Sequence, residues 1–407
     1  MLRDVSLGST VQSLSGAALV TLLTACGSHA SDQAASASAA TAASAKAGKV
    51  LEADENVSQA VTESTAKAAA ESTIPIPDGS FDLGSTPGDR GRDPSLEPAL
   101  SPTSLGAFDI DRSLYPNELG KPPLLGVTRD KAESLCKERG RRVCTEVEWE
   151  RACKGPDGQA YAGNAAWDPK CAKEPESCAS GFGVVGMGAR REWTASEIDG
   201  KSESGAVLRG GAPDAAAQDH RCARRVGVDP GSAGDDVGFR CCGGAPNAVT
   251  IPKIVGGANF GPLELKADAL SEIFGVVPEL SKLGKDLKYF DPETSPKRVV
   301  ERADGGTTKG YELTTAPVAW SPVPGESLIV VAGLAGDDSF IVAMYRLPGD
   351  RYRIASSLVL KKDAGPVVLA YDRSVDKRLE WSTCWQCPGE SGRITYRDDG
   401  RVVITQE

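Results

Sequence analysis

Residues 140–155 read GRRVCTEVEWERACKG, and the signals in this stretch specify one short helix. Thr145 is followed three residues later by Glu148, which is a capping box: the hydroxyl accepts the N–H of Glu148 and the carboxylate accepts the N–H of Thr145. Glu146 and Glu148 also suit the positive end of the helix dipole. The apolar face, at positions i, i+3 and i+4, consists of Trp149, Ala152 and Cys153. The stretch therefore predicts a capped, amphipathic helix that carries Cys153 into a core or a disulfide.

The composition of the 407-residue chain bounds its architecture and its partners. Hydrophobic residues make up 40% and charged residues 25%, as in an ordinary globular protein, but aromatic residues reach only 5% beside 45 Gly and 26 Pro. Much of the length is therefore expected to be loop or linker. The net charge of −10 argues against a nucleic-acid partner. The chain has only two histidines, His29 and His220, which limits metal sites and acid–base chemistry.

The first 26 residues have the features of an export signal. The apolar run AALVTLLTA at 17–25 is too short to cross a bilayer as a helix. The sequence LTAC that ends at Cys26 resembles the bacterial lipoprotein signal, in which the cysteine is lipidated and becomes the mature N-terminus. We therefore expect residues 1–26 to be a lipoprotein signal peptide, the alternative being an ordinary cleaved signal. We therefore expect a lipid-anchored envelope protein. If the cell is Gram-negative, Gly27 in the next position, rather than Asp, indicates the outer membrane.

The cysteine count predicts disulfides. Of 11 cysteines, ten remain once Cys26 is set aside, and an even number in an exported chain indicates a disulfide framework. Cys384 and Cys387 form a CWQC motif with thioredoxin-like spacing. A redox-active pair usually has its first thiol at a helix N-terminus, whereas this one follows a strand-like run. We expect a structural disulfide in a hairpin turn, with redox or metal use as the alternative.

Changes in composition divide the remaining chain into three parts. Residues 27–106 are rich in Ala, Ser and Pro and are expected to form a tether, with a possible helix at 50–71. Residues 107–244 are expected to form the first folded unit. In residues 251–407, a helical region at 264–289, broken at Pro278, precedes short β-branched runs separated by turn signals. This pattern predicts a helix followed by an antiparallel β-meander of unknown family.

The first folded unit carries a series of motifs in a fixed order: ID, RRVCTEVEWERAC, REWTAS, VLRGGA, RCARR and VGFRCC. This order resembles the formylglycine-generating enzyme family, also called the sulfatase-modifying factor domain. The resemblance implies an α+β fold, a variant of the C-type lectin-like fold with a small twisted sheet, two helices and long loops. It also implies that Cys136 pairs with Cys241 and Cys153 with Cys222. It leaves open the pairing of Cys144, Cys171, Cys178 and Cys242.

The same resemblance argues against the chemistry of active members. In them, two cysteines just after the RGGS motif bind a copper ion that activates oxygen. The corresponding residues 209–218, RGGAPDAAAQ, contain no cysteine, and the next one, Cys222, falls at a structural disulfide position. A copper site of soft thiolate ligands is therefore not expected there.

Two other metals are also disfavoured, and we expect the chain to have no cofactor. Related iron-dependent sulfoxide synthases need several histidines, and His220 is the only one outside the tether. In the family, a calcium site uses an Asp or Asn, backbone carbonyls and a Glu. Here Glu192 is retained, but the Asp or Asn position is Val185 and the Asn of the family's GN pair is Ala189, which leaves weak binding through the carbonyls of Gly188 and Arg190 as the alternative.

His220 is expected to be an ordinary surface or half-buried histidine on a strand beside a disulfide. In a strand, Asp219 would point to the opposite face, so a Ser-His-Asp arrangement is not expected. We therefore expect a degenerate, non-catalytic domain that binds an unknown protein or glycan, or acts as a scaffold. The alternative is a divergent enzyme with a site in the same groove, built from Arg209, Glu192 and Asp214. A third hypothesis makes the β-rich residues 251–407 the ligand binder.

Overall fold

The computed structural model describes residues 72–199, 205–251, 254, 259–263, 265, 267–276, 278–281, 287–289, 304–308, 311–315, 317–347, 351–361, 365–375, 377–385 and 388–407. All of them lie in one compact unit that spans Gln59–Glu407. The predictions for the signal peptide, for Cys26, for the helix at 50–71 and for Cys387 fall outside the described residues. Within those residues, the helices are too short or too polar to cross a membrane.

The N-terminal half is sheet-rich with few helices. Its strands are β1 (Thr73–Ile76), β2 (Gly79–Leu83), β3 (Ser101–Leu105), β4 (Phe108–Asp111), β5 (Arg142–Val143), β6 (Arg191–Glu197), β7 (Ala206–Arg209), β8 (Arg225–Val228), β9 (Val237–Phe239) and β10 (Cys241–Gly243). Its α-helices are α1 (Arg129–Glu138), α2 (Glu146–Lys154) and α3 (Lys170–Lys173). Two 3-10 helices span Pro175–Ser177 and Ala217–His220.

Two four-stranded sheets organise this half. One has the order β1-β4-β10-β5 and is antiparallel throughout. The other has the order β8-β7-β6-β9, in which β6 and β9 run parallel. Strands β2 and β3 pair as a separate hairpin. Helix α2 packs in a core cluster together with residues of β1, β2 and β4. Its contribution consists of Val147, Trp149, Ala152 and Cys153.

The predicted tether is wrong for residues 72–106, because these residues form β1, β2 and β3 and contribute Ile76, Leu83 and Leu105 to the core. The sequence IPIPDGSFDL at 74–83 alternates apolar and other residues, as a half-buried strand does. Pro75 is tolerated because β1 is an edge strand. Folded structure is therefore present from residue 73 onwards, more than 30 residues before the expected boundary at 107.

The C-terminal half contains two six-stranded antiparallel sheets. The strands of the first are β11 (Asn259–Pro262), β12 (Leu287–Tyr289), β15 (Val318–Ser321), β16 (Leu328–Ala335), β17 (Asp338–Leu347) and β18 (Arg351–Leu360). The strands of the second are β13 (Asp304–Thr308), β14 (Tyr311–Thr314), β19 (Val368–Asp372), β20 (Arg378–Ser382), β21 (Ser391–Tyr396) and β22 (Val402–Gln406). One core cluster contains residues of both sheets, so the two sheets pack face to face.

The predicted helical region 264–289 contains two helices, α4 (Ala267–Val276) and α5 (Pro278–Ser281), and ends in strand β12 instead of helix. Ile273 and Phe274 of α4 pack on the outer face of β16 and β17. These two strands are therefore covered on both faces, which explains why LIVVAGLA and FIVAM are continuous apolar runs and not alternating ones.

The β2–β3 loop, residues 84–100, touches both halves. Glu97 binds Arg221 of the N-terminal half at 2.6 Å, and both side chains are buried. Arg92 binds Glu326 of the C-terminal half at 2.7 Å, with both side chains 2% exposed. The hydroxyl of Tyr396 donates to the same carboxylate at 3.3 Å. The loop thus joins the two halves through buried ion pairs.

Candidate functional site

Helix α2 begins as the sequence predicts. The hydroxyl of Thr145 accepts the N–H of Glu148 at 3.4 Å, and the Glu148 carboxylate accepts the N–H of Thr145 at 2.9 Å. The polar side of this helix is not exposed to solvent: all nine residues Glu146–Lys154 are buried, the five charged ones included. Buried charges are stable only when they are paired and hydrogen-bonded. The partners of these side chains therefore define the centre of the domain.

Glu146 lies at the centre of this arrangement. Its carboxylate accepts hydrogen bonds from Arg209 at 2.8 Å and from Nε and Nη2 of Arg225 at 2.8 Å each. All three side chains are at most 1% exposed. Burial lowers the pKa of Arg209, but the carboxylates of Glu150 and Glu146 outweigh this effect and its pKa is raised. The three side chains therefore form a buried, ion-paired cluster.

Glu150 extends the cluster towards the C-terminus of α2. Its carboxylate lies 2.9 Å from Arg209 and 2.7 Å from Lys154, and it accepts the N–H of Gly84 at 2.7 Å. Burial raises the pKa of Glu150, but the charges of Lys154 and Arg209 outweigh it, so the pKa is lowered. Helix α2 is thereby bonded to the β2–β3 loop as well as to β7.

The alternative catalytic site does not form in the structure. Arg209 and Glu192 face each other as partners in the β6–β7 ladder, but both side chains are completely buried. Arg209 is bound by Glu146 and Glu150, Glu192 is bound by Arg240, and Asp214 is exposed on the surface. The sequence pattern indicated three polar groups in one groove, whereas two of them are neutralised core ion pairs.

The same ion pair bears on calcium. Glu192 accepts hydrogen bonds from Arg240 at 2.8 and 3.1 Å, and Arg240 also donates to the carbonyl of Val185 at 2.8 Å. The carboxylate and the carbonyl of the expected calcium region therefore face a guanidinium, which supplies the positive charge at this position. The oxygen atoms present do not fit a calcium ion here.

Residues 209–222 occupy the place where the resemblance implies copper. A Cβ on Gly210, which has φ 80°, would lie 2.2 Å from the carbonyl oxygen of Arg190, so this turn requires glycine. No cysteine side chain lies in this stretch before Cys222, and Cys222 is bonded to Cys153. The residues present therefore do not fit a thiolate copper site.

His220 does not lie on a strand, which corrects the prediction: it ends the 3-10 helix Ala217–His220 and is completely buried. Its ring stacks on Trp167 with centroids 3.9 Å apart and an interplanar angle of 2°. Its Nδ1 lies 2.8 Å from the carbonyl oxygen of Gly188. Asp219 instead forms an ion pair with Arg224 at 3.4 Å. The histidine is a packing residue held by a backbone carbonyl and a tryptophan.

Four disulfides use all eight cysteines between residues 136 and 242. Cys136 is bonded to Cys241 and Cys153 to Cys222, as the resemblance implies. The four cysteines whose pairing was left open form Cys144–Cys242 and Cys171–Cys178. Cys384 is also disulfide-bonded. One group of potential metal ligands in the described residues is Asp168, Cys171 and Cys178, but the two sulfur atoms are bonded to each other.

The fold and the motifs identify the class of the N-terminal half. The family model described as "Sulfatase-modifying factor enzyme 1-like domain" matches residues 113–244, so the chain contains a formylglycine-generating-enzyme-like domain. Two curated relatives carry the name "Inactive C-alpha-formylglycine-generating enzyme 2": the protein of Bos taurus is 31% identical over 153 residues and that of Mus musculus 32% over 152 residues. The alignments cover 30% of this chain and 50% and 49% of the relatives, so the chain spans about half their length.

Two solved structures align over 42% of the chain. They are Treponema denticola variable protein 1, with 17% identity, 94% of its chain covered and a TM-score of 0.34, and PvdO from Pseudomonas aeruginosa, with 20% identity, 93% covered and a TM-score of 0.33.

Proposed function

We propose that this chain is a lipid-anchored envelope protein whose formylglycine-generating-enzyme-like domain, of the C-type lectin-like type, is a non-catalytic binding or scaffold module. One observation carries the proposal: the stretch after RGG contains no cysteine, and every cysteine between residues 136 and 242 is held in a disulfide. The word "inactive" in the names of the two relatives supports the same reading. The expected partners are the membrane, through the lipid anchor, and a protein or glycan ligand, with no nucleic acid.

Copper binding and peptide oxidation test the loss of catalysis. The purified, non-reduced protein is titrated with Cu(I) against a chromogenic competitor chelator, and a Cys-containing sulfatase-type peptide is incubated with it under oxygen. We expect no stoichiometric copper binding and no conversion of the cysteine. Cys171→Ser/Cys178→Ser is the matched control, because it removes the cysteines that could bind copper beside Asp168 after reduction. Stoichiometric copper in both proteins together with peptide oxidation would refute the proposal.

Lipid attachment is tested in cells. Expression of the full chain in a Gram-negative host with an alkyne-labelled fatty acid is expected to label the protein and to place it in the outer-membrane fraction. Cys26→Ala is expected to abolish the label, because the cysteine sulfur is the attachment atom. A labelled Cys26→Ala protein, or an unlabelled wild-type protein, would contradict the anchor.

A further inference from the structure

A cavity of about 600 Å³ lies between strand β2, the C-terminal turn of α2 and the turn at 155–158. Its size falls within the range of small-molecule sites in proteins. Phe81, Phe182 and Leu100 supply apolar wall, and four cationic side chains line it: Arg151, Lys154, Arg221 and Arg351. None of the side chains of the expected copper or catalytic positions lies among its walls. The wall therefore contains none of residues 209–218, which correspond to the copper-binding stretch of active family members.

Two of the cations in the wall have all the partners they need. Lys154 binds Glu150 at 2.7 Å and donates to the carbonyl oxygens of Asp82 at 2.6 Å and Gly84 at 2.5 Å. Arg221 binds both oxygens of Glu97, at 2.6 and 2.9 Å, and also donates to two backbone carbonyls. These two side chains hold the wall together, and each charge is already paired, Lys154 with Glu150 and Arg221 with Glu97.

Arg151 differs from them. Its side chain is buried, at 7% exposure, yet it makes one hydrogen bond, from Nη2 to the carbonyl oxygen of Pro77 at 3.0 Å. Its Nε is buried without an acceptor, and no carboxylate of the described chain lies within ion-pair distance of it. The guanidinium lies beside the rings of Phe81 and Phe182, with 5.7 and 5.9 Å from Cζ to the ring centroids. Burial lowers the pKa of Arg151, and only the more distant charge of Asp78 opposes this effect.

A buried cation with unused donors is costly unless an anion satisfies it. A guanidinium matches a carboxylate, because the two planar groups form parallel hydrogen bonds. The cavity wall also carries the acidic residues Asp82, Asp89 and Asp157, which repel a doubly charged anion such as phosphate more strongly than a singly charged one. The flanking phenylalanine rings favour a ligand with an apolar body next to its charged group.

We infer that this cavity binds a small organic monocarboxylate, whose carboxylate accepts hydrogen bonds from Arg151 and whose apolar body packs against Phe81 and Phe182. The inference rests on the proposed function, since a binding module needs a ligand site. The two are tested by separate measurements, because copper binding and peptide oxidation do not involve this cavity.

Benzoate and benzamide are the probes, because they have the same shape and differ in the charge and acceptors of the head group. Titration calorimetry on the full exported chain is expected to show benzoate binding about tenfold more tightly than benzamide, since a charge-assisted pair contributes roughly 1.5 kcal/mol or more. Sulfate is expected to bind more weakly than benzoate. Arg151→Lys should weaken benzoate binding by about fivefold or more, because lysine keeps the charge and loses the planar fork.

Arg139→Lys is the matched control. Arg139 also stacks on an aromatic ring, at 4.0 Å from Tyr115, and also donates to a proline carbonyl, that of Pro116, but it lies on the surface outside the cavity. Its variant should bind benzoate as the wild type does. Equal affinity for benzoate and benzamide, no benzoate binding below about 10 mM, tighter binding of sulfate, or an equal loss in the Arg139 variant would each overturn the inference.

Circular dichroism shows whether Arg151→Lys folds. If it does not, crystals of the wild-type protein soaked in 4-bromobenzoate decide the matter by the anomalous signal of bromine. A bromine peak in the cavity with its carboxylate on Arg151 supports the inference. A peak elsewhere, or none, refutes it.

Discussion

Replacing Glu146 by Gln tests whether the buried ion pairs around α2 hold the domain together. The change keeps the size of the side chain and removes its charge. Arg225 then has no carboxylate partner and keeps the backbone carbonyls of Leu96 and Ile198, while Arg209 keeps Glu150. Because Arg225 is 1% exposed, water cannot replace the lost carboxylate.

The magnitude follows from the three charge-assisted hydrogen bonds that Glu146 accepts, each 2.8 Å long. Breaking a buried pair by removing one partner costs about 3–5 kcal/mol of unfolding free energy. At about 2–4 °C per kcal/mol for a unit of this size class, Glu146→Gln should lower the Tm by roughly 6–20 °C.

Urea unfolding followed by circular dichroism measures the free energy, and calorimetry measures the Tm. Glu133→Gln is the matched control, since Glu133 also pairs with an arginine, Arg129, but is 47% exposed, and its loss should cost less than about 0.5 kcal/mol. Arg225→Met combined with Glu146→Gln should be less destabilised than the sum of the single variants, because both remove the same bonds. A Glu146→Gln protein as stable as the Glu133→Gln control would refute this account of the core.

Three further predictions concern the backbone, pH and disulfides. In urea unfolding, Gly325→Ala should destabilise the protein by well over the roughly 1 kcal/mol expected for the control Gly336→Ala. Both glycines have positive φ, but only a Cβ at 325 would meet a backbone oxygen of the β2–β3 loop, at 1.9 Å. Burial raises the pKa of Glu148, but hydrogen bonds from its neighbours have the larger, opposite effect, so its pKa in the folded protein lies below the ordinary 4.5. The stability that this carboxylate contributes above pH 4.5 should be lost as the pH falls through the folded pKa. Glu148→Gln should flatten this part of the curve of unfolding free energy against pH. Removing Cys136–Cys241 should cost only about 2–3 kcal/mol instead of the nearly 5 expected for a loop of this length, because a neighbouring disulfide closes almost the same loop; a loss near 5 in urea unfolding would contradict this.

Features encoded by neighbouring residues could be predicted from the sequence. The capping box needs only positions three apart, and Thr145 and Glu148 form it as expected. The disulfides Cys136–Cys241 and Cys153–Cys222 were accessible only through the family resemblance, because they join positions 105 and 69 residues apart.

Features that depend on distant partners could not be predicted. The burial of the charges on α2 could not be foreseen, because the arginines that bind Glu146 lie 63 and 79 residues further along the chain. His220 was expected on a strand beside a disulfide, whereas the chain there turns through a 3-10 helix. The sequence does not single out Arg151 as a cavity residue, apart from its place near the end of a helix. Whether this arginine has a carboxylate partner depends on how β2 packs.

The β2–β3 loop has a practical consequence for dividing this protein. Arg92 and Glu97 lie five residues apart in this loop. Arg92 binds a carboxylate of the C-terminal half, and Glu97 binds a guanidinium of the N-terminal half. A cut at residue 106 would separate Arg221 from Glu97, and a cut at residue 250 would separate Glu326 from Arg92. Each cut would leave a buried charge without its counter-ion. Fragments that follow the family boundaries are therefore expected to be poorly soluble, and a fragment that begins near residue 72 and keeps both halves is the smallest piece to express.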